Sequence, residues 1–211
     1  MSEEYQYDVV VVGGGPAGSS AAWAAAKNGI KVALIEKEGS IAETVRTSGV
    51  TWIQNIKEFG IPENCYNPIK NFSFCSPNNE VTISDSVPKA AVLDVRKTYR
   101  WLATEAEKEG VDIFIKTSIN NVIKNDNGDI VGVTGTGPKG EIIFHSKIII
   151  DATGFSSTIC KAMGFATQWE RFGAGAEWEV KAEHVDSETW WLMVGQQYSP
   201  AGYAWIFPLG D

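Results

Sequence analysis

The stretch Asp8-Val-Val-Val-Val-Gly-Gly-Gly-Pro-Ala-Gly-Ser19 decides the fold of this 211-residue chain. Its β-branched run carries no charge after Asp8, which is typical of a strand buried on both faces of a sheet. Residues 19–28 are rich in alanine and favour a helix, and the apolar residues 31–36 predict a second strand. A strand, a tight turn, a helix and a strand within about thirty residues form a βαβ unit with parallel strands and a right-handed crossover.

The turn of this βαβ unit has the spacing Gly13-x-Gly15-x-x-Gly18. Gly13 allows the tight turn, Gly15 lets the backbone approach a pyrophosphate, and Gly18 lets the helix pack closely against the strand. The N-terminus of the following helix offers unpaired N–H groups and a partial positive charge to phosphates. Glu36, at the tip of the second strand, is placed to accept hydrogen bonds from an adenosine ribose, and its charge would repel a 2′-phosphate. The motif therefore predicts FAD or NAD rather than NADP.

The rest of the chain favours FAD over NAD as the cofactor, because it does not continue as the alternating strands and helices of a plain NAD domain. The sequence predicts a loop over residues 39–49, a helix over 50–59 and a second helix that Asp94 caps. A hairpin with one solvent-facing side is predicted from residues 71–75 and 80–84. Short strands are predicted at residues 111–115, 118–124, 130–135, 141–144 and 148–151, and aromatic strand-like stretches beyond Trp169. A β-meander that follows a βαβ unit suits a flavoprotein better than a plain NAD domain.

The amino-acid composition limits which cellular compartment and which binding partners are expected. The 18 Lys and Arg against 26 Asp and Glu give a formal net charge of -8, which argues against nucleic-acid binding. No apolar run approaches the roughly 18 to 20 residues that span a bilayer, and the acidic N-terminus differs from a signal peptide. Three cysteines without a Cys-x-x-Cys pair fit a reducing compartment and argue against a metal site. We therefore expect a cytoplasmic protein with at most peripheral membrane contact.

With these motifs in place, the chain resembles the FAD-dependent geranylgeranyl reductase family, within the flavoproteins built like para-hydroxybenzoate hydroxylase. The resemblance covers nearly the whole chain and rests on the glycine turn, Glu36-Lys37, Val45-Arg46, Leu93-Asp-Val-Arg96, Asp151-Ala-Thr-Gly-Phe155 and Gly202-Tyr-Ala-Trp-Ile-Phe-Pro208. In this family the last motif lines the cavity for the isoprenoid chain. Thr47-Ser48-Gly49 departs from the Cys-Gly-Glu usual in archaeal members, so no thiol is assigned to alkene reduction.

Position by position, the resemblance implies FAD as the cofactor and a set of residues that bind it. These cofactor-binding residues are Gly13, Gly15, Ala17, Gly18, Glu36, Lys37, Arg46, Thr47, Ser48, Arg96, Val122 and Gly154. The resemblance also implies that Tyr203, Trp205 and Phe207 line a substrate pocket. The residues alone equally allow a half-buried sheet in which these aromatic side chains pack the core. No catalytic residue and no metal site is assigned.

The predicted fold class is α/β. It comprises a Rossmann-like FAD-binding domain with a parallel sheet and a β-meander, plus part of a mostly antiparallel substrate domain. The FAD-binding domain is expected over residues 1–60 and 90–168, and the substrate domain over 61–89 and 169–211. Family members carry a further Gly-Asp motif that binds the flavin's ribityl chain, and Gly210-Asp211 does not have its context. We therefore expect an N-terminal fragment of a longer protein.

The resemblance implies a flavoenzyme that uses reduced flavin to saturate C=C bonds of an isoprenoid (geranylgeranyl) chain. Its partners would be an apolar small-molecule or lipid substrate and an unidentified electron donor, with no nucleic acid. Two alternatives share the cofactor motifs: a flavin monooxygenase or halogenase-like enzyme, and a catalytically silent FAD-binding fragment. A halogenase would be expected to contain a Trp-x-Trp-x-Ile-Pro segment. The chain does not contain one, because Trp190-Trp191 does not match that pattern.

Overall fold

The computed structural model describes residues 2–165, 170 and 172–210. In chain order its strands are β1 (Glu3–Gln6), β2 (Val9–Val12), β3 (Val32–Ile35), β4 (Val50–Trp52), β5 (Tyr66–Ile69), β6 (Asn71–Cys75), β7 (Glu80–Ser84), β8 (Ala90–Leu93), β9 (Asp112–Phe114), β10 (Ser118–Lys124), β11 (Ile130–Gly137), β12 (Gly140–His145), β13 (Ile148–Asp151), β14 (Thr189–Val194) and β15 (Tyr203–Ile206). The helices are α1 (Pro16–Ala26), α2 (Ile53–Phe59), α3 (Val95–Lys108) and α4 (Thr158–Ala162), with 3-10 turns at Glu63–Cys65 and Gly154–Ser156. No helix in these described ranges is long and apolar enough to cross a membrane.

The chain forms two compact units. The first comprises Met1–Val45 and Tyr99–Gly173, and the second comprises Arg46–Thr98 and Ala174–Asp211. The predicted boundary between residues 168 and 169 lies outside the described residues. The assignment of one domain to the cofactor and another to the substrate stays a prediction.

In the first unit, a parallel sheet and a mostly antiparallel sheet pack face to face. The parallel sheet has the order β13-β2-β3-β9, and the other sheet has the order β1-β12-β11-β10, in which β10, β11 and β12 form the predicted meander. The βαβ unit is confirmed, because β2 and β3 pair in parallel and α1 connects them along the chain. The α/β fold class is confirmed as well.

The valine run of β2 explains this layered arrangement. Strand alternation sends Val10 and Val12 to one side of the parallel sheet and Val9 and Val11 to the other. On the first side they join Ile142 and Phe144 of the meander sheet, and on the second side the alanines of α1. All four valines are buried. A strand with apolar side chains on both faces is therefore the centre of two cores at once.

A partly buried hydrogen bond joins Tyr7 to β9, an edge strand of the parallel sheet. The Tyr7 hydroxyl donates to Asp112 Oδ2 at 2.8 Å, and the Tyr7 ring makes an edge contact with Phe114. Burial first, and then the neighbouring Asp112, raise the pKa of Tyr7 well above its usual range. The hydroxyl therefore stays protonated and acts as a donor throughout the physiological range.

In the second unit, a four-stranded sheet has the order β15-β14-β6-β7, and a three-stranded antiparallel sheet has the order β4-β8-β5. Within the larger sheet the β14–β6 pair is parallel and the other two pairs are antiparallel. The unit is mostly antiparallel, as predicted. Its core contains Ile69, Phe72, Ala90, Val92 and Trp190, all buried.

Several local predictions in the second unit were wrong. Residues 50–52 form β4 and not the start of a helix, because Val50 and Trp52 pair with β8 and only the residues after them are helical. The described residues of 172–188 contain no strand, so the aromatic strands begin only at Thr189. The hairpin of β6 and β7 is present, but all five residues of β7 are exposed, so β7 has no buried side. Strands β5 and β8 of this unit were missed, as was β1 of the first unit.

We expect Gly49→Ala to destabilise the second unit more than Gly60→Ala. Both glycines have a positive φ, +73° and +64°, that alanine adopts at a cost of about 1 kcal/mol. A Cβ on Gly49 would lie 2.7 Å from the Leu93 carbonyl oxygen, whereas a Cβ on Gly60 would meet nothing within 4 Å. The clash should add about 1–3 kcal/mol. Urea unfolding of the two variants measures the difference, and equal losses would contradict this account.

Candidate functional site

The glycine turn lies at the carboxyl end of the parallel sheet. Gly13 has a φ of +111°, and its N–H donates to the Ile35 carbonyl at 2.7 Å. A Cβ on Gly13 would overlap the Ala152 carbonyl, because the chain leaving β2 passes directly beside the chain leaving β13. Only glycine satisfies both conditions, which confirms that Gly13 permits the tight turn.

The other glycines of the motif differ in the space around them. A Cβ on Gly18 would overlap the Gly13 carbonyl oxygen, so Gly18 lets α1 pack against the turn, as the motif predicts. A Cβ on Gly14, a position that the motif leaves free, would collide with the side chain of Ile41. A Cβ on Gly15 would meet nothing within 4 Å. Gly15 therefore faces open space, where a ligand can approach the backbone closely.

The N-terminus of α1 is free to bind an anion. Its N-cap residue is Gly15, Pro16 occupies the first turn, and no side chain caps the helix. The first turn also contains no acidic residue. Because the first N–H groups of a helix have no partner within the helix, Ala17 and Gly18 present donors at the positive end of the helix dipole. This arrangement has the geometry and the charge that suit a phosphate.

The Glu36 carboxylate faces the glycine turn. Its Oε2 accepts a hydrogen bond from the Gly14 N–H at 2.8 Å, and its Oε1 accepts one from the Glu38 N–H at 2.9 Å. A carboxylate has about four lone-pair positions, so both oxygens keep acceptor capacity for a ribose. Lys37, the next residue, is exposed.

The predicted loop over residues 39–49 supports this turn, a role that sequence reasoning did not assign to it. Ile41 is 8% exposed and packs against Gly14, and the Arg100 Nε–H donates to the Ile41 carbonyl at 3.3 Å. Arg100 lies 59 residues away along the chain, so no local pattern could have identified the pair. Gly14 and Ile41 are thus further residues that shape the turn.

The Asp151-Ala-Thr-Gly segment is held by its own carboxylate. Asp151 Oδ1 accepts from the Thr153 N–H at 3.0 Å and from the Thr153 hydroxyl at 2.6 Å, and Oδ2 accepts from the Cys160 N–H at 2.8 Å. Partial burial alone would raise the pKa of Asp151, but these hydrogen bonds hold it below its usual range. Asp151 therefore fixes the loop in which Gly154 adopts a φ of +63°.

Val122 lies on β10, the edge strand of the meander sheet. Its side chain packs against the core, and its backbone N–H donates to Asn121 Oδ1 at 2.9 Å. The structure thus places the Val122 backbone at a sheet edge. Its contact with an adenine stays a prediction.

The remaining predicted cofactor residues belong to the second unit. Arg46 and Thr47 are exposed, and the Thr47 hydroxyl accepts a hydrogen bond from the Gly49 N–H at 3.5 Å. Ser48 is half-buried. Arg96 lies in the first turn of α3, with its guanidinium 3.9 Å from Glu179 Oε2. Their roles toward a cofactor stay predictions.

One face of the four-stranded sheet collects aromatic and aliphatic side chains. Residues directly opposite in neighbouring strands share a face, and Leu192 lies opposite both Phe74 and Trp205. Strand alternation places Tyr203 on this face as well. The predicted pocket residues form a row of rings, with Tyr203 5.8 Å from Trp205, and Trp205 stacked 6.1 Å from Phe207. We call this the aromatic face.

A cavity of about 740 Å³ adjoins the aromatic face. Its apolar wall is formed by Trp52, Phe72, Phe74, Ile83 and Trp190. Trp190 links the cavity to the row, because its ring lies 5.6 Å from Phe207 and 6.4 Å from Trp52. Several of these side chains remain exposed, with Trp52 and Ile83 each 56% accessible. Sequence reasoning indicated the aromatic row but not this cavity.

Comparison with known proteins gives the family of the chain. The profile of the family described as FAD dependent oxidoreductase matches residues 8–196. A digeranylgeranylglycerophospholipid reductase of Methanocaldococcus jannaschii is 34% identical over 212 residues, which cover 97% of this chain and 53% of that protein. A second one, from Methanocella arvoryzae, is 32% identical and covers 98% of this chain and 54% of its own length. The chain thus spans about half the length of the curated relatives it matches.

The fold matches a solved structure of similar description. A geranylgeranyl bacteriochlorophyll reductase-like protein from Thermoplasma acidophilum superposes with a TM-score of 0.81 at 27% identity. The match covers 99% of this chain and 55% of that chain. The resemblance found in the sequence is therefore confirmed.

We expect Asp151→Asn to destabilise the first unit by about 1–3 kcal/mol at neutral pH, because the amide cannot accept at both positions. The Asp151 pKa is depressed in the folded state, so its contribution is full above the unfolded pKa of about 3.9 and is lost as the pH falls through the folded pKa. The gap between wild type and variant should therefore shrink below about pH 4. Urea unfolding across pH measures it, with the exposed turn variant Asp126→Asn as control. A gap that persists undiminished in acid would contradict this account.

Proposed function

The chain belongs to the FAD dependent oxidoreductase family, and from this we propose that it forms part of a reductase that saturates C=C bonds in an isoprenoid chain. FAD is the cofactor of the family. The substrate class is suggested by the relatives, which are described as digeranylgeranylglycerophospholipid reductases. Since the chain spans about half their length, the activity is proposed for the protein to which it belongs.

The observation that carries the proposal is the open space at Gly15 between two ligand-binding elements. On one side the uncapped N-terminus of α1 offers N–H donors, and on the other the Glu36 carboxylate faces the turn. The pyrophosphate and the adenosine ribose of FAD need donors and an acceptor in this order. The residues present fit the adenosine diphosphate portion of FAD. Gly13, Gly15, Ala17 and Gly18 would hold the pyrophosphate, and Glu36 the ribose.

When bound, FAD supplies hydride-transfer chemistry, and the protein supplies binding, orientation and a dry environment. The turn would hold the cofactor in one position, because Glu36 accepts a hydrogen bond from Gly14 and Ile41 packs against Gly14. The aromatic face of the second unit would bury an apolar chain and exclude water from it, since aromatic rings offer a large apolar area. The assignment of Tyr203, Trp205 and Phe207 to this pocket rests on the sequence motif and on their place in the row.

We also propose a cytoplasmic location and a separate electron donor. The three cysteines are all free thiols, which suits a reducing compartment.

An anaerobic turnover experiment tests the proposed reaction. The 211-residue chain is loaded with FAD, reduced chemically, and mixed with a geranylgeranyl phospholipid in the absence of oxygen. We expect the flavin to be reoxidised only when lipid is present, and mass spectrometry to find two added hydrogens per reduced double bond. A hydroxylated or halogenated product formed only with oxygen would favour the monooxygenase alternative. FAD uptake without lipid-dependent reoxidation, or no uptake of FAD, would favour a catalytically silent fragment.

Two glycine variants test the cofactor site. Gly15→Ala places a methyl group in open space, but alanine is a poorer N-cap than glycine, so the unfolding free energy should fall by at most about 1 kcal/mol. The same methyl should weaken FAD binding by about tenfold or more, the equivalent of ~1.4 kcal/mol. Gly18→Ala should lower both stability and FAD affinity, because its Cβ overlaps the Gly13 carbonyl. Thermal unfolding and quenching of FAD fluorescence measure the two effects. Unchanged FAD affinity in Gly15→Ala would contradict the assignment.

A further inference from the structure

An arginine of α3 holds the middle of residues 38–44, which we call the Ile41 loop. At the start of the loop, the Glu38 carbonyl accepts a hydrogen bond from the Lys116 N–H at 2.8 Å. At its middle, the Arg100 Nε–H donates to the Ile41 carbonyl at 3.3 Å. In the part of the chain that the structure describes, this is the one hydrogen bond of the Arg100 side chain, and it forms no ion pair there. The contact of Arg100 with the rest of the unit is therefore directed at this loop.

The Ile41 loop contains a strained residue directly after this hydrogen bond. Ala42 has a φ of +56°, in the left-handed region that favours glycine. A residue persists in such a conformation only where the surrounding structure holds it, and strained positions of this kind cluster at ligand-binding sites. The Arg100 hydrogen bond reaches the carbonyl that precedes Ala42. The loop therefore depends on tertiary contacts for its conformation.

The Ile41 side chain connects the loop to the glycine turn. Ile41 is 8% exposed, and a Cβ on Gly14 would lie 2.4 Å from its Cδ1. The same Cβ would lie 3.0 Å from the Cβ of Glu36, so Gly14 lies between these two side chains. The Gly14 N–H in turn donates to Glu36 Oε2 at 2.8 Å. A series of three contacts thus links Arg100 to the Glu36 carboxylate.

We propose that Arg100 is a positioning residue for the adenosine ribose, because it holds the Ile41 loop and thereby keeps the Glu36 carboxylate directed at the turn. This role rests on the proposed function, since it takes Glu36 as the acceptor of the ribose hydroxyls. Without the Arg100 hydrogen bond, Ile41 can move away from Gly14, and the carboxylate is correctly placed for only part of the time. The affinity for the ribose then falls in proportion to that fraction.

Isothermal titration calorimetry of the 211-residue chain without FAD tests this role. The probes are ADP and 2′,3′-dideoxy-ADP, which differ only in the ribose hydroxyls that Glu36 would bind. Arg100→Met removes the hydrogen-bond donor and should weaken ADP about three- to tenfold, as expected if the correctly placed fraction falls to about a third to a tenth. It should change the affinity for dideoxy-ADP less than about twofold, because that probe does not use the Glu36 carboxylate. Lys108→Met, which removes another exposed cation of α3, is the matched control and should change neither affinity.

A double-mutant cycle separates a positioning role from a merely structural one. If Arg100 acts through Glu36, Arg100→Met should weaken ADP less than about twofold once Glu36→Gln is present, because the two losses are then not additive. Arg100→Lys keeps a donor and should restore part of the ADP affinity. Thermal unfolding of each variant without ligand monitors the fold.

Three results would overturn the role of Arg100 while leaving the proposed cofactor site intact. They are unchanged ADP affinity in Arg100→Met, equal weakening of ADP and dideoxy-ADP, and additive losses in the cycle. A lowered melting temperature with unchanged ADP affinity belongs to the first of these and would indicate a structural role alone. A wild-type chain that binds no ADP would contradict the cofactor site itself, and the role of Arg100 with it.

Discussion

The structure of the first unit depends on a backbone approach that only glycine allows. The chain leaving β2 passes so close to the Ala152 carbonyl that any side chain on Gly13 would overlap it, and α1 returns so close that any side chain on Gly18 would overlap Gly13. This crowding places the start of α1 at the carboxyl end of the parallel sheet with its N–H groups uncovered. The fold and the proposed phosphate site are thus consequences of the same packing constraint.

The sequence predicted those parts of the fold that local patterns determine. The buried valine strand, the glycine turn, the alanine-rich helix and the meander each have a periodicity or a turn residue that acts within a few positions. Glu36 could be identified because its distance from Gly18 follows from the length of one helix and one strand. For this reason the carboxylate was expected at the turn, and it is found there.

The errors arose where distant segments decide the local structure. The sequence around Val50 and Trp52 is compatible with a helix, but pairing with β8 makes these residues a strand. Likewise, β1 is a short strand that forms because it pairs with β12. The support of the turn by Ile41 and Arg100, and the cavity near Trp190, likewise need residues that are far apart in the chain. Intrinsic propensity is a weak guide in such segments, because tertiary pairing overrides it.

The two backbone hydrogen bonds to Glu36 have a consequence for the energetics of ligand capture. A free glutamate samples several rotamers, and ordering it on binding would cost about 0.5–1.5 kcal/mol. Here the Gly14 and Glu38 amides already hold the carboxylate toward the turn. The acceptor is preorganised, so the ribose that we propose as its ligand would meet a rigid group whose conformational entropy was lost during folding. Shortening this side chain to aspartate would remove that rigidity while keeping the charge.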